Sequence, residues 1–108
     1  AERLARGDTW SALVEEMLAP LPHDVWVTFD VDGLDPALCP GTGTPVPGGL
    51  SWHQACTLVS ALGRSGRRII GLDLCEVGPG EWDAIVGSRL LYKLATWSIV
   101  ARRAQEAP

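Results

Sequence analysis

The sequence predicts an α/β domain in which parallel strands pack against helices. Two apolar segments, 24–31 and 67–77, are rich in β-branched residues, and helical patterns precede, separate and follow them. This alternation favours parallel strands joined by a right-handed crossover. Because two parallel strands rarely form a stable sheet alone, we expect further strands from missing sequence or from another chain.

The helices are predicted from their caps and from the spacing of apolar residues. The first begins at residues 8–9, where Asp or Thr can act as the cap. Ser51 is expected to cap the second, with Gln54 as its capping-box partner. Asp83 is the expected cap of the last helix. Residues 33–50, rich in Gly and Pro, form a long loop between the first strand and the second helix.

Composition limits the classes of function. A chain of 108 residues with 46% hydrophobic content fits one small domain or a piece of a larger one. The net charge of −4 argues against a nucleic-acid partner and suits a cation or a cationic small molecule. Since no signal peptide or membrane-spanning run is visible, we expect a cytoplasmic protein without a membrane partner. Cys39, Cys56 and Cys75 are widely spaced and are expected to be buried free thiols.

Acidic residues follow both predicted strands. Asp30 and Asp32, at positions i and i+2 of the first strand, should point to the same side and repel each other. Such a pair suits a hard cation such as Mg²⁺ or Mn²⁺. Glu76 ends the second strand and should lie at the same sheet edge. The sequence therefore predicts three carboxylates lining one crevice, whereas Asp35, before a proline, is expected only to start a turn.

The loop of residues 33–50 is expected to act as a rigid support over this crevice. It lacks the Gly-Lys-Ser/Thr sequence of a phosphate-binding loop. Its prolines should fix its path, and Thr42 and Thr44 are the polar groups that it can present. Trp52 and Trp82 flank the loops near the crevice and could shape a substrate pocket.

The segment "FDVDGLDPALCPGTGTPVPGG" resembles the last metal-binding segment of the ureohydrolase family, which contains arginases, agmatinases and formimidoylglutamases. The matching positions are Asp30-Val31-Asp32, Pro36, Pro40-Gly41 and Gly49. "GLDLCEVGPGEWD" is similar to the following strand and turn of that family. This turn and the start of the last helix look closer to the formimidoylglutamase-like and unassigned arginase-like branches than to typical agmatinases. Together with the last helix, the resemblance covers nearly the whole chain.

The resemblance implies the three-layer α/β/α ureohydrolase fold, with residues 1–108 as the C-terminal part of a single domain. It implies that Asp30 and Asp32 are ligands of a binuclear manganese site. Glu76 would hold the guanidinium or amidine group of a small cationic substrate, and Thr44 would support that end of the pocket. A hydroxide generated between the metals would attack the amidine carbon, releasing urea or formamide and an amine. No catalytic residue beyond these ligands is assigned.

The chain also departs from the family pattern. The Gly-Gly-Asp-His and Asp-x-His-x-Asp segments that supply the other metal ligands in the family are absent. We therefore expect the 108-residue chain to be inactive alone. The complete protein is expected to be a homo-oligomer, since family members are commonly trimers or hexamers.

Two alternatives remain open at this point. "FDVDGLD" superficially resembles the Asp-x-Asp-Gly motif of magnesium-dependent haloacid-dehalogenase-type phosphatases. That family expects Thr or Val where Leu34 follows Gly33, and Lys93 lies within a predicted helix. The other alternative is a non-catalytic remnant or assembly module that partner subunits keep folded.

Overall fold

A computed structural model of the protein describes residues 1–106, which form four α-helices, one short 3-10 turn and two strands. In chain order these are α1 (Glu2–Ala5), α2 (Trp10–Leu18), β1 (Asp24–Asp30), the 3-10 turn (Val31–Gly33), α3 (Trp52–Arg64), β2 (Arg68–Cys75) and α4 (Glu81–Glu106). The predicted alternation of helices and strands is confirmed, and among the α-helices and strands only α1 was not predicted.

The two strands pair in parallel, as the sequence predicts. Their register runs from Asp24 opposite Arg68 to Asp30 opposite Cys75, with one irregularity after Val25. Helix α3 connects them. The carboxyl ends of both strands therefore lie side by side at one edge of the sheet.

The helices cover one face of this sheet. The core consists of buried residues from α3, α4 and the segment after β1: Val31, Leu34, Cys39, Ala55, Val59, Val86, Leu90 and Leu94. Val27 and Phe29 of β1 pack against it, whereas Trp26 on the opposite face is 61% exposed. Residues 1–106 thus form two layers, the helices and the sheet. The third layer of the expected fold is not formed by this part of the chain.

Two of the predicted helix caps are confirmed and one is wrong. The Thr9 hydroxyl accepts a hydrogen bond from the backbone N–H of Ala12 at 3.1 Å. Ser51 and Gln54 form both bonds of a capping box. Helix α4 already begins at Glu81, so Asp83 is its third residue and not its cap. The Asp83 side chain points inward, and the residue is only 1% exposed.

The thiols are free, but only one of them is buried. Cys39 lies in the core, Cys56 is half-buried and Cys75 is exposed. The prediction of buried thiols is therefore wrong for Cys75, because this residue ends β2 opposite the exposed Asp30. Burial raises the pKa of the Cys39 thiol, and the charge of Asp83 adds to this effect.

The Gly- and Pro-rich loop is closed at its base. The N–H of Asp35 donates to the carbonyl of Leu50 at 2.8 Å, and the N–H of Leu50 donates to the carbonyl of Gly33 at 2.9 Å. Gly49 lies so close to this closure that a Cβ there would stand 2.4 Å from the carbonyl carbon of Leu34. Only glycine fits this approach without a shift of the backbone.

Gly49→Ala is accordingly expected to lower the free energy of unfolding by about 1–3 kcal/mol through overpacking against the chain. Gly43→Ala in the same loop is the matched control, because a Cβ at Gly43 meets no atom within 4 Å. Its effect should stay within about 0.5 kcal/mol. Urea denaturation followed by tryptophan fluorescence measures both. Equal stability of the two variants would contradict the close packing at Gly49.

Candidate active site

Asp30 and Asp32 line one open concavity, although the geometric reason differs from the expected one. Asp30 is the last residue of β1, whereas Asp32 lies in the 3-10 turn Val31–Gly33 and not in a strand. The i and i+2 rule for strands therefore does not apply to this pair. The concavity has a volume of about 410 Å³ and is lined by Thr28, Phe29, Asp30, Asp32, Gly33, Leu50 and Leu58. The tight turn after the strand is what places both carboxylates there.

Thr44 contacts Asp32. Its hydroxyl donates to Asp32 Oδ2 at 2.6 Å. The Gly- and Pro-rich loop thus folds back over the end of β1 and fixes one oxygen of Asp32. The family resemblance implied that Thr44 supports the Glu76 end of the pocket, but the structure places its hydroxyl at the aspartate end.

Glu76 follows β2 directly, at the edge where β1 also ends. Its neighbour Cys75 pairs with Asp30, which agrees with the predicted edge. Glu76 does not line the concavity of Asp30 and Asp32, so the structure brings two of the three predicted carboxylates into that concavity. The backbone of Glu76 has φ 68°, and no other non-glycine residue of 1–106 has a positive φ. Such a conformation is uncommon for a residue with a side chain.

Asp73 organises the uncovered face of the sheet, a role that the sequence did not predict. Its carboxylate accepts hydrogen bonds from Trp26 Nε1 at 3.0 Å, from Thr28 Oγ1 at 2.7 Å and from Cys75 Sγ at 3.4 Å. These bonds, that of Trp26 first, hold the pKa of Asp73 below its ordinary value. The available signal was the register, since Thr28 and Asp73 are opposite each other in the two strands.

Cys75 lies among carboxylates. The hydrogen bond to Asp73 is the main reason that its pKa is raised, followed by burial and by the negative charges of Asp73, Asp30 and Glu76. The thiol is therefore protonated at neutral pH.

The donor set suits a hard divalent cation in kind but not in number. Carboxylate oxygens are the ligands that Mg²⁺ and Mn²⁺ prefer. Among residues 1–106, however, no group of three His, Cys, Asp or Glu side chains converges in a way that could hold a metal ion. Asp30 and Asp32 are thus two candidate ligands, and a metal site formed with them would need further ligands.

Two other predicted positions lie outside the acidic concavity. Asp35 Oδ1 accepts a hydrogen bond from the N–H of Ala37 at 2.9 Å, which is the expected turn. Trp52 and Trp82 line a separate apolar concavity of about 320 Å³. That concavity shares no lining residue with the one formed by Asp30 and Asp32.

Carboxylates at the ends of parallel strands, with a loop hydrogen-bonded to one of them, lie where open α/β folds commonly bind their ligands. The model of the Arginase family matches residues 3–96. The chain belongs to this family. The Asp-x-Asp-Gly resemblance to phosphatases is therefore a chance similarity.

Curated relatives carry related names. The N(1)-aminopropylagmatine ureohydrolase of Thermus thermophilus is 38% identical over 81 residues, 73% of this chain and 27% of the relative. The agmatinase of Proteus mirabilis is 47% identical over 72 residues, 67% of this chain and 22% of the relative. The chain thus spans about a quarter of the length of these relatives. Neither of them is named a formimidoylglutamase, one of the two branches that the turn after β2 had suggested.

Solved structures confirm the fold. A hypothetical agmatinase from Burkholderia thailandensis superimposes with a TM-score of 0.77 at 36% identity, over 94% of this chain and 33% of that structure. The proclavaminate amidino hydrolase of Streptomyces clavuligerus gives 0.77 at 28% identity, over 86% of this chain and 32% of that structure. The chain therefore has the arginase-like α/β fold in part.

Among residues 1–106, no helix is both long and apolar enough to cross a bilayer.

Proposed function

We propose that this chain is the C-terminal part of a manganese-dependent ureohydrolase, an enzyme that hydrolyses a linear guanidino or amidine compound. One observation carries the proposal. In a chain of the Arginase family, Asp30 and Asp32 share a concavity at the end of one strand, and Glu76 follows the adjacent end of its parallel neighbour.

Asp30 and Asp32 are the proposed metal-binding residues of this segment. Thr44 restrains Asp32 by donating to Oδ2, which leaves Oδ1 of Asp32 available to a cation. The remaining ligands come from residues outside this chain. Two bound divalent ions would supply a water of lowered pKa for attack on the amidine carbon.

Glu76 is the proposed partner of the substrate's cationic group. A carboxylate binds a guanidinium by charge-assisted, often bidentate hydrogen bonds. Its place at the strand end adjacent to Asp30 would bring the substrate carbon towards the metal-binding carboxylates. The acidic net charge of −4 also favours a cationic substrate over an anionic one.

The substrate class is proposed from the relatives. The relatives named agmatinase, N(1)-aminopropylagmatine ureohydrolase and guanidinobutyrase have names that denote action on guanidino compounds with an alkyl chain. We infer a substrate of this kind, which yields urea and an amine.

The free thiols are compatible with a cytoplasmic protein. The uncovered sheet face is compatible with an assembly in which other residues or subunits cover it.

Urea release tests the proposal. The complete protein, loaded with Mn²⁺, should release urea from agmatine or 4-guanidinobutyrate, and it should lose this activity after treatment with a chelator. Arginine and formimidoylglutamate are included in the panel, with formamide measured for the latter. The isolated chain should release neither product. Full activity of the isolated chain, or inactivity of the complete protein on the whole panel, would contradict the proposal, and the latter result would favour the non-catalytic assembly module.

A further inference from the structure

Two polar contacts made by buried side chains join the Gly- and Pro-rich loop to Glu76 and to the start of α4. The hydroxyl of Thr42 donates to the backbone carbonyl of Glu76 at 2.8 Å. The N–H of Gly41 donates to Asp83 Oδ2 at 2.9 Å. Thr42 and Asp83 are 5% and 1% exposed, and residues 1–106 contain no other buried polar or charged side chains. We call these two contacts the loop clamp.

The hydrogen bond from Thr42 in the loop clamp ends on Glu76, a residue with a strained backbone. Glu76 has φ 68°, in the left-handed region. For a residue with a Cβ, this conformation costs on the order of 1–3 kcal/mol of free energy. Such a conformation persists only where the surrounding structure fixes it. The bond from Thr42 holds the carbonyl of this same residue, so it acts directly on the strained peptide. Without that bond, Glu76 can relax towards an extended backbone, and its carboxylate moves with it.

The turn after β2 packs closely against the loop clamp. A Cβ at Gly78 would stand 2.2 Å from the carbonyl oxygen of Gly41. The turn after Glu76 therefore lies directly on the loop. Asp83 closes the contact from the first turn of α4, where the helix dipole favours a negative charge. The loop, the turn after β2 and the start of α4 thus form one fixed unit around Glu76.

We propose that Thr42 and Asp83 are positioning residues, which hold the Glu76 carboxylate in the direction that receives the cationic group of the substrate. This inference rests on the proposed role of Glu76. It assigns different tasks to the two threonines of the loop. Thr44 restrains the metal-binding end through Asp32, and Thr42 restrains the substrate-binding end through the backbone of Glu76.

Thr42→Val tests the inference in the complete, manganese-loaded protein. The substitution keeps the shape of the side chain and removes the hydroxyl, so KM for the guanidino substrate should rise about tenfold. The change in kcat should be smaller, and the bound metal should not change. Thr42→Ser restores the donor and should return KM to within about twofold of the wild type. A merely structural role would lower thermal stability without this separation of KM from kcat.

Thr96→Val is the matched control. The Thr96 hydroxyl also donates to a backbone carbonyl at 2.8 Å, that of Tyr92 within α4, away from Glu76. Its loss should leave KM unchanged. Asp83→Ala and Asp83→Asn give a second, independent pair, because only the asparagine keeps an acceptor for the N–H of Gly41. The alanine variant should raise KM, and the asparagine variant should not.

The outcomes separate this inference from the proposed function. If the wild type hydrolyses a guanidino substrate and both Thr42→Val and Asp83→Ala leave KM unchanged, the positioning role is wrong and the proposed function stands. Equal KM values for Thr42→Val and Thr42→Ser, both raised, would also overturn it. A wild type that hydrolyses no compound of the panel overturns the proposed function, and the positioning role with it.

Discussion

Asp32→Asn in the complete protein is expected to lower kcat by about 10³-fold, because it would remove the charge of a proposed metal ligand and with it several kcal/mol of transition-state stabilisation. Asp30→Asn should act in the same direction. Both variants should also bind less manganese at a given free concentration, which metal analysis after gel filtration measures. Thr44→Val keeps both carboxylates and removes only the donor to Asp32, so its effect should be smaller, about 10–100-fold.

Asp35→Asn is the control for this series. Asp35 belongs to the same acidic segment, but its carboxylate accepts only the N–H of Ala37, and asparagine retains an acceptor oxygen. Activity and bound manganese should therefore equal those of the wild type. If Asp35→Asn lowered both as far as Asp32→Asn does, the assignment of the metal-binding pair would be wrong.

Glu76→Gln is expected to lower kcat/KM by about 10²-fold, the equivalent of one hydrogen bond between charged groups. The loss should be seen mainly for cationic guanidino substrates, because the amide cannot neutralise a guanidinium. Bound manganese should remain at the wild-type level, which distinguishes this variant from Asp32→Asn. Steady-state kinetics and metal analysis of the same preparations give both quantities.

Glu81→Gln provides the comparison for Glu76→Gln. Glu81 is an exposed carboxylate five positions further along the chain, at the start of α4. Its neutralisation removes the same charge from the same end of the protein without touching the proposed site. An equal loss of kcat/KM in both variants would mean that Glu76 acts only through the general negative field and does not contact the substrate.

The sequence was sufficient where local rules decide the structure. The Ser51–Gln54 capping box depends on residues three positions apart, and it formed as predicted. The parallel pairing of β1 and β2 followed from the alternation of helical and apolar segments. The spacing of Asp30, Asp32 and the following prolines and glycines was specific enough to indicate the family to which the chain belongs.

Other features depended on contacts between segments distant in the chain, which no local pattern encodes. The position of Asp83 in the sequence suggests a helix cap. Its carboxylate instead points inward, because it accepts a hydrogen bond from the N–H of Gly41, which lies about 40 positions earlier in the loop. In the same way, the sequence of residues 41–44 does not reveal to which acidic residue each threonine donates its hydrogen bond. The fold of the loop sends Thr44 to Asp32 and Thr42 to the carbonyl of Glu76.

The sequence by itself therefore determined the order and type of the elements, the acidic strand ends and the family, because these follow from periodicity, capping and short-range spacing. Only the tertiary structure decided how the carboxylates are held. In the folded protein, Asp32 lies in a turn and Asp73 accepts a hydrogen bond from Thr28 of the neighbouring strand β1. Glu76 adopts a left-handed backbone conformation. The physical reason is that each of these states is stabilised by a hydrogen bond or close packing between segments that meet only after the chain has folded.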